Sequence, residues 1–369
     1  MPADKFYMKL TLRLARKGLG TTSPNPMVGA VIVKKGRIIG SGYHKRAGLG
    51  HAEIEALKSA RTNARGATLY VNLEPCDHFG RTPPCTDAII KSGIKKVVAA
   101  MKDPSPLNNG RGFRRLQMAG IAVKRGVLED EAKELNEVFI KYTTKKMPFV
   151  IVKVAQSIDG KIAANTGDSK WISSPQSRRY VHQLRGRVDA IMIGANTVMK
   201  DNPLLTVRNQ AQILKQPVKI IVDSGLRIPI NAKIFSGESP AKVIIATTKK
   251  APKIKIPKLK KIGAEILILK DKNGKIDLRQ LMKELAKRAI TSVLVEGGGT
   301  LIGSLVDAKL IDKYLFFISP KIIGGKDAIT SVEGSGVDKI SQAASLKNIK
   351  YKKFDKDLLI EGTHQCSQE

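Results

Sequence analysis

The stretch ATLYVNLEPCDHFGRTPPC, residues 67–85, combines a predicted strand with two cysteines that lie nine residues apart. Its first seven residues are mostly strand-forming, and the Glu-Pro that follows marks the end of the strand. Cys76 comes directly after that end, and Cys85 stands at the start of a predicted helix, 86–91. Strands and helices alternate in this way along both halves of the chain, which predicts an α/β fold with a largely parallel sheet.

A histidine and a glutamate upstream complete a set of metal-binding and acid–base groups. His51 and Glu53 open a predicted helix, 53–60. One imidazole and two thiolates, from His51, Cys76 and Cys85, provide three zinc ligands and leave the fourth position open for water, as in catalytic sites. Zinc lowers the pKa of such a water from about 15.7 toward about 7. Glu53 is then placed to take the proton of the water and pass it to a leaving amine.

The order of these residues follows the zinc-deaminase signature H-x-E…P-C-x-x-C, but the spacer between the cysteines is longer, with eight residues. His78 lies inside the spacer and is an alternative ligand, although a substrate contact is the favoured interpretation. Glu74 is either a support for the zinc ligands or a core-capping residue. The remaining histidines and the last cysteine have no metal partner in the sequence: His44 and His182 are assigned to the surface or a pocket, and His364 and Cys366 are expected to be inert.

The length of 369 residues favours two domains, which we place at 1–146 and 147–369, with a linker near 145–148. The formal net charge of +33 fits a nucleic-acid surface, anionic small substrates or a generally lysine-rich surface. The densest lysine run, 249–261, is predicted to be a loop or a sheet edge because two prolines interrupt it. Aromatic residues make up only 5% of the chain, which is little for stacking on single-stranded bases.

Three cysteines in a chain of this length argue against a disulfide framework and for a reducing compartment. The first residues have charges every few positions and lack the apolar core of a signal peptide. No apolar stretch approaches the roughly 20 residues that span a bilayer. We therefore expect a soluble, cytoplasmic protein without membrane partners, and the sequence leaves its oligomeric state open, a homo-oligomer included.

The second half carries weaker signals when its residues are considered alone. Glu296 to Thr300, EGGGT, follows a predicted strand and opens a helix, so its backbone N–H groups could bind a phosphate; a tight turn explains it equally well. It lacks the G-x-G-x-x-G fingerprint of a conventional Rossmann domain. Arg185 and Arg208 suit a substrate phosphate, and surface arginines are the alternative. Lys153, in an apolar strand, is either at a sheet edge or faces a pocket.

Motifs from both halves resemble those of the bifunctional deaminase/reductase family of riboflavin biosynthesis, in the family's order and over residues 5–335. The first half contributes the spacer CDHFGRTPPC (76–85), PNPMVG (24–29) and Asp103-Pro104. The second half contributes SKWI (169–172), HQLR (182–185), DNPLLT (201–206) and VEGGGT (295–300).

The resemblance implies an N-terminal α/β/α sandwich of cytidine-deaminase type and a C-terminal α/β domain similar to dihydrofolate reductase. It implies zinc-dependent deamination of 2,5-diamino-6-(5-phosphoribosylamino)pyrimidin-4-one. NADPH reduction of the ribosyl chain of 5-amino-6-(5-phosphoribosylamino)uracil to ribityl would follow. The implied partners are phosphorylated pyrimidine small molecules, not nucleic acid, and the implied cofactors are zinc and NADPH.

The resemblance also implies roles for individual residues beyond the zinc ligands and Glu53. Deaminase substrate contacts are Asn25 and Asp103. The positions that would line the NADPH site are Ala155, Trp171, Thr197, Asp201, Gly298, Gly299, Thr300, Leu301, Ile302, Gly303 and Ser304. Those that would hold the reductase substrate are Ser169, Arg185, Leu205, Arg208 and Glu296. The chain departs from the family at Ser105, where an Asn is usual, so one amide donor and acceptor pair is lost.

Two alternatives from other classes stay open at this stage. One is a zinc deaminase of nucleic acid whose basic C-terminal domain grips RNA, which a steep salt dependence of binding would support. The other is a binding protein with a purely structural zinc. Glu53 argues against the second, because a structural site needs no acid beside an open coordination position.

Overall fold

The computed structural model describes residues 2–80, 83–208, 215–236 and 241–364. Arg81 and Thr82 of the cysteine spacer, and Cys366, therefore lie outside the described residues. The chain forms two compact units, Met1–Met147 and Pro148–Glu369.

Unit 1 is a five-stranded mixed sheet with helices packed on it. Its helices are α1 Pro2–Ala15, α2 Ala52–Ala60, α3 Cys85–Lys91, α4 Arg111–Met118, α5 Glu129–Leu135 and α6 Glu137–Lys145. Its strands are β1 Gly29–Lys34, β2 Arg37–Tyr43, β3 Thr68–Leu73, β4 Lys96–Met101 and β5 Ala122–Lys124. The order is β2-β1-β3-β4-β5, in which β1 is antiparallel to both neighbours and β3, β4 and β5 are parallel. The predicted strand at 67–73 is thus β3, at the centre of the sheet.

The sequence pattern predicts one continuous helix over residues 129–142, but the structure has two helices there, α5 and α6. The break lies at Asn136, whose backbone leaves the helical region with φ −108° and ψ 21°. The Asn136 side chain is buried and hydrogen-bonds both the N–H and the carbonyl of Met27. A tertiary contact therefore interrupts a segment whose local pattern is continuous.

Unit 2 is built on a nine-stranded sheet. Its helices are α7 Pro175–Arg185, α8 Ala195–Asp201, α9 Lys255–Lys261, α10 Leu278–Lys287 and α11 Gly299–Asp307. Its strands are β6 Phe149–Ser157, β7 Ala190–Gly194, β8 Val218–Val222, β9 Val243–Thr248, β10 Ala264–Leu269, β11 Asp271–Lys272, β12 Lys275–Ile276, β13 Ser292–Val295, β14 Lys313–Ser319, β15 Leu346–Phe354 and β16 Asp357–His364.

The order of the large sheet is β10-β9-β8-β7-β13-β6-β14-β16-β15. Strands from β10 to β14 are parallel, and β16 and β15 are added antiparallel. The parallel strands are mostly apolar and buried, as expected for a sheet with helices on its faces. Their carboxyl ends share one edge, where ligands bind in open α/β sheets.

The prediction of a loop for the whole lysine run 249–261 is wrong, because residues 255–261 form α9. Pro257 is only the third residue of that helix, where a backbone N–H has no partner within the helix, so the proline costs no hydrogen bond. Among the described residues, no helix combines the length and the apolar character that crossing a bilayer requires.

Candidate functional site

Three side chains from three elements of unit 1 meet at the carboxyl end of β3. His51 is the N-cap of α2, Cys76 follows β3, and Cys85 is the first residue of α3. Their ligand atoms all lie within 4.8 Å of one another, and His51 Nδ1 is 3.2 Å from Cys85 Sγ and 3.5 Å from Cys76 Sγ. Tetrahedral zinc, with bonds of about 2.0–2.3 Å, keeps its ligand atoms roughly 3.5 Å apart. The donor set and its spacing therefore fit a zinc ion.

The charges of the cluster are arranged for a cation. Cys85 donates hydrogen bonds to Cys76 from its side chain and, at 3.3 Å, from its backbone N–H. These bonds and one from His51 lower the pKa of Cys76 to about 4. The same side-chain contact, together with burial, raises the pKa of Cys85. The groups around Cys76 thus favour its thiolate, which is the form that binds a metal ion.

Glu53 is the second residue of α2 and is only 4% exposed. Burial, reinforced by the charge of Cys76, raises the pKa of its carboxyl to about 7. A group with such a pKa exchanges a proton readily at neutral pH, which is what general acid–base catalysis requires.

His78 does not belong to the metal cluster found among the described residues. Its Nδ1 is buried and has no hydrogen-bond partner in the described part of the chain. An unpaired buried nitrogen is costly, so this atom is available to a bound molecule.

Asn25 lies next to the metal cluster through His44. Asn25 Nδ2 is 3.2 Å from His44 Nε2, and His44 Nδ1 is 3.1 Å from the Gly50 carbonyl. The ring of His44 stands edge-on to that of His51, with centroids 5.5 Å apart. His44 is 2% exposed, so of the two locations that the sequence left open for it, the surface is ruled out.

Asp103 is held at the site by Glu74. The buried Glu74 carboxylate accepts hydrogen bonds from the backbone N–H groups of Asp103 (3.0 Å), Gly110 (2.9 Å) and Phe113 (3.3 Å). Burial, with the nearby charge of Glu74, raises the pKa of Asp103 to about 6, while the N–H of Ser105 binds its Oδ1 at 2.8 Å. Glu74 therefore supports the loop after β4 and the first turn of α4 rather than the zinc ligands themselves.

Buried amides that the sequence analysis missed fix the other loops of the site. Asn72 Oδ1 accepts from Gly29 N–H at 2.8 Å, and its Nδ2 donates to the Met27 carbonyl at 2.9 Å. Asn108 Oδ1 accepts from the N–H of Asp77 at 3.0 Å. Asn72 could have been found as the one polar residue in the interior of an otherwise apolar strand, β3, where burial demands a partner.

In unit 2, two helices begin side by side at the carboxyl ends of adjacent strands. α8 follows β7 directly, and three residues separate the end of β13 from the start of α11. A Cβ on Gly297 would lie 3.0 Å from Thr197 Oγ1, and one on Gly298 would lie 3.5 Å from the same atom. Of the residues predicted to bind NADPH, Thr197, Gly298 and the first turn of α11 are thus brought together; we call this place the α8/α11 cradle.

The other residues predicted to bind NADPH lie in different surroundings. Ser304 Oγ donates to the Thr300 carbonyl at 2.8 Å, and Leu301, Ile302 and Gly303 are buried. Trp171 is 64% exposed, and the Arg178 guanidinium lies 4.4 Å from its ring centroid, so it is not a core residue. Ala155 is half-buried on β6, and Asp201 is the last residue of α8.

The residues predicted to hold the reductase substrate include a buried ion pair. Arg185 Nε and Nη2 donate to the two carboxylate oxygens of Glu296 at 2.6 and 2.9 Å, and Nη1 donates to the Thr206 carbonyl at 3.2 Å. Lys153 lies on β6, which is interior to the sheet, so it is not an edge residue, and burial lowers its pKa.

The remaining substrate positions of unit 2 are in loops. Leu205 is buried, Ser169 is half-buried, and the Arg208 side chain is exposed. The backbone N–H of Arg208 donates to His182 Nδ1 at 3.3 Å, and His182 is half-buried.

Comparison with known proteins covers both units. The family model described as "RibD C-terminal domain" matches residues 148–360, and "Cytidine and deoxycytidylate deaminase zinc-binding region" matches residues 1–101. The chain is 48% identical over 357 residues to the riboflavin biosynthesis protein RibD of Aquifex aeolicus, covering 97% of each. It is 42% identical over 355 residues to that of Escherichia coli, covering 93% of this chain and 95% of the relative.

Solved structures agree over the whole length. Acinetobacter baumannii RibD (form 2) superposes with a TM-score of 0.87 at 36% identity and 99% coverage of both chains. A diaminohydroxyphosphoribosylaminopyrimidine deaminase/5-amino-6-(5-phosphoribosylamino)uracil reductase from Thermotoga maritima superposes with a TM-score of 0.85 at 41% identity, covering 98% of this chain and 99% of that one.

Proposed function

The chain belongs to the RibD family of riboflavin biosynthesis proteins, and on that premise we propose which of its residues carry the two reactions. It is a bifunctional enzyme that combines a zinc-dependent deaminase with an NADPH-dependent reductase. The pyrimidinone substrate is deaminated, and the ribosyl chain of the product is then reduced to ribityl. Membership favours these small-molecule reactions over the nucleic-acid deaminase. We assign residues 1–146 to the deaminase and 147–369 to the reductase.

His51, Cys76 and Cys85 would hold the zinc ion. Zinc, when bound, supplies a Lewis acid that lowers the pKa of a water molecule and so makes a nucleophile available at neutral pH. Glu53 accepts the proton that the water loses and donates it to the departing exocyclic amine. This role is supported by the burial of its carboxyl, since in a water-excluding environment the proton is transferred rather than exchanged with solvent.

Asn25, His78 and Asp103 orient the pyrimidine ring in this proposal. If His44 Nδ1 donates to the Gly50 carbonyl, its Nε2 is an acceptor and Asn25 Nδ2 is the donor between them. Asn25 Oδ1 is then left to accept a hydrogen bond from an amino group of the substrate. Asp103, with a pKa near 6, can accept a second one.

In the reductase half, NADPH, when bound, supplies the hydride. The N–H groups at the start of α11 bind its diphosphate, next to Thr197, and the other residues predicted for this site line the rest of it. Arg185 holds Glu296 in place through its two-pronged contact, which leaves Arg208 as the exposed guanidinium for the substrate phosphate.

A cytoplasmic location is also proposed. Its support is chemical: two of the three cysteines meet in the metal cluster, where they must stay reduced to bind zinc.

The convergence of His51, Cys76 and Cys85 on a buried Glu53 carries this assignment. The experiment supplies the diaminopyrimidinone phosphate with and without NADPH, and follows ammonia and NADPH absorbance separately. We expect ammonia in both reactions and NADPH consumption only after deamination. Ammonia release at full rate by protein proved free of metal would overturn the zinc assignment, and NADPH consumption without ammonia would overturn the order of steps.

A further inference from the structure

A segment of unit 2 that no motif covers runs along one side of α11. The N–H of Glu333 donates to the Gly299 carbonyl at 3.2 Å, and Ser335 donates to the Asp307 carboxylate from both its N–H and its hydroxyl, at 3.3 Å each. A Cβ on Gly299 would lie 2.5 Å from the Thr330 carbonyl oxygen, and one on Gly303 would lie 1.9 Å from that of Glu333. We call residues 328–335 the strap. A side chain at Gly299 or Gly303 would collide with the backbone of the strap, so both positions require glycine.

The strap places a carboxylate at the first turn of α11. Thr300, the second residue of that helix, donates its hydroxyl proton to Glu333 Oε2 at 2.6 Å. The other carboxylate oxygen of Glu333 would be 2.9 Å from a Cβ on Gly299, the first residue of the helix. The acid therefore lies beside the turn at which the diphosphate is expected, and the only proton of the Thr300 hydroxyl is already committed to it.

The same turn has donors to spare. In the part of the chain that the structure describes, the N–H groups of Gly299, Thr300 and Leu301 have no hydrogen-bond partner, as is usual at a helix start. These groups and the helix dipole favour an anion. The chain has 65 basic and only 32 acidic residues, so its overall charge also attracts anions. An acid beside this turn therefore counteracts the attraction that both the helix start and the whole chain exert on an anion.

We propose that Glu333 lowers the affinity of the reductase for its cofactor: its carboxylate, held by the strap against Thr300, weakens the binding of the dinucleotide's diphosphate at the start of α11. This inference rests on the proposed placement of NADPH in the α8/α11 cradle. The carboxylate repels the diphosphate and withholds the Thr300 hydroxyl from it. The cradle then holds the cofactor loosely enough for the oxidised form to leave after each turnover.

Loss of the charge alone should be measurable as tighter binding. A charge next to a helix end shifts an equilibrium by about 2- to 5-fold at low ionic strength, and salt screens the effect. Glu333→Gln keeps an oxygen that can accept from Thr300 and removes only the charge. Asp355→Asn is the matched control, because Asp355 is an exposed acid in the turn between β15 and β16 where Asn is equally well tolerated.

The test is isothermal titration of the full-length protein with NADPH, and separately with inorganic diphosphate, at low salt and at about 0.5 M salt. For Glu333→Gln we expect the Kd of both probes to fall about 2- to 5-fold at low salt and to approach that of the unmodified protein at high salt. Asp355→Asn should not change either Kd, and the melting temperatures should show that both variants fold.

An equal or higher Kd for Glu333→Gln at low salt would overturn the inference. If the Kd of the variant fell by the same factor, relative to the unmodified protein, at both salt concentrations, the inference would be overturned too. Such a result would indicate a rearranged strap instead of a removed charge. Failure of the unmodified protein to bind NADPH at all would instead refute the proposed function of unit 2.

Discussion

The metal cluster of unit 1 and the α8/α11 cradle of unit 2 are built from different parts of the chain. In the cluster the working atoms belong to side chains: an imidazole, two thiols and a carboxyl that meet within hydrogen-bonding distance. In the cradle they belong to the main chain, and side chains such as Thr197 and Glu333 only border the backbone N–H groups. The first site depends on which residues are present, and the second on how closely segments of backbone approach.

The largest test of this contrast is Glu53→Gln. We expect zinc to be retained and deamination to fall by about 10²- to 10⁴-fold, the usual contribution of a general acid–base group. The reductase half, assayed with the deaminated intermediate, should be unaffected. Measurements of bound zinc, ammonia release and NADPH oxidation on one preparation separate these effects.

The control for this variant is Glu55→Gln, two residues further along α2, where the carboxylate is partly exposed and pairs with Lys58. Its deaminase rate should stay within a factor of two or so of the unmodified protein, because exposed pairs contribute little. Normal ammonia release by Glu53→Gln would mean that another group moves the proton.

The second test removes a ligand. Cys85→Ser should lower zinc affinity by more than the 10- to 100-fold that loss of a ligand's supporting hydrogen bond costs, and deamination should fall with it. His78→Ala should keep its zinc, because His78 is outside the cluster. Zinc analysis after dialysis against a weak chelator measures both. Full zinc in Cys85→Ser together with loss of zinc in His78→Ala would show that His78, and not Cys85, is the third zinc ligand.

The same contrast explains how far the sequence could be interpreted. His51, Glu53, Cys76 and Cys85 were predicted from residue type and spacing, because a thiol or an imidazole has few other uses in such a pattern, and the structure brings His51, Cys76 and Cys85 together. The strands of the first sheet and the parallel strands of the second were predicted from their apolar runs, whereas β15 and β16, of which β15 is mostly polar and exposed, were missed. The two-domain α/β architecture, with a cytidine-deaminase-like half and a reductase half, is confirmed by the family and structural matches.

What the sequence did not reveal depends on contacts between distant segments. Nothing local shows that Asn136 binds Met27 and divides a helix, or that Glu74 accepts hydrogen bonds from three backbone N–H groups in a loop and a helix start 29 to 39 residues away. The residues alone left a phosphate site and a tight turn equally open at the start of α11, and only the family resemblance made it a cofactor site, since a glycine next to a helix start is compatible with a ligand, a turn or a strap. Here two of the glycines, Gly299 and Gly303, make room for the strap.

Gly303→Ala tests the dependence of unit 2 on backbone approach. Alanine favours a helix over glycine, yet its Cβ would lie 1.9 Å from the Glu333 carbonyl oxygen. We expect unit 2 to be destabilised by about 1–3 kcal/mol, because the strap must move. Gly225→Ala, whose Cβ would meet nothing closer than 3.7 Å, is the control and should not change the stability. Equal thermal stability of the two variants would show that the strap yields without cost.

The smallest effect is expected in unit 1, from the carboxyl of Asp103, whose ionised form is destabilising because the side chain is buried. Folding raises the pKa of Asp103 from the ordinary value of 3.8, which applies to the unfolded chain, to about 6, so folding disfavours the ionised form. Stability is therefore lost as the pH rises from about 4 through 6, and Asp103→Asn should avoid that loss. A shift of two pH units corresponds to roughly 3 kcal/mol. We expect a gain of about 1–2 kcal/mol at pH 8 and a much smaller one at pH 4.5, because the amide oxygen accepts more weakly from Ser105 than a carboxylate does.

Calorimetry at the two pH values, on the transition that shifts with zinc, measures this gain in stability. Asp130→Asn, at an exposed site, should show no such pH-dependent gain. A variant at Asp103 that is less stable at pH 8 than at pH 4.5, relative to the unmodified protein, would show that the hydrogen bond from Ser105 outweighs the cost of burying the charge.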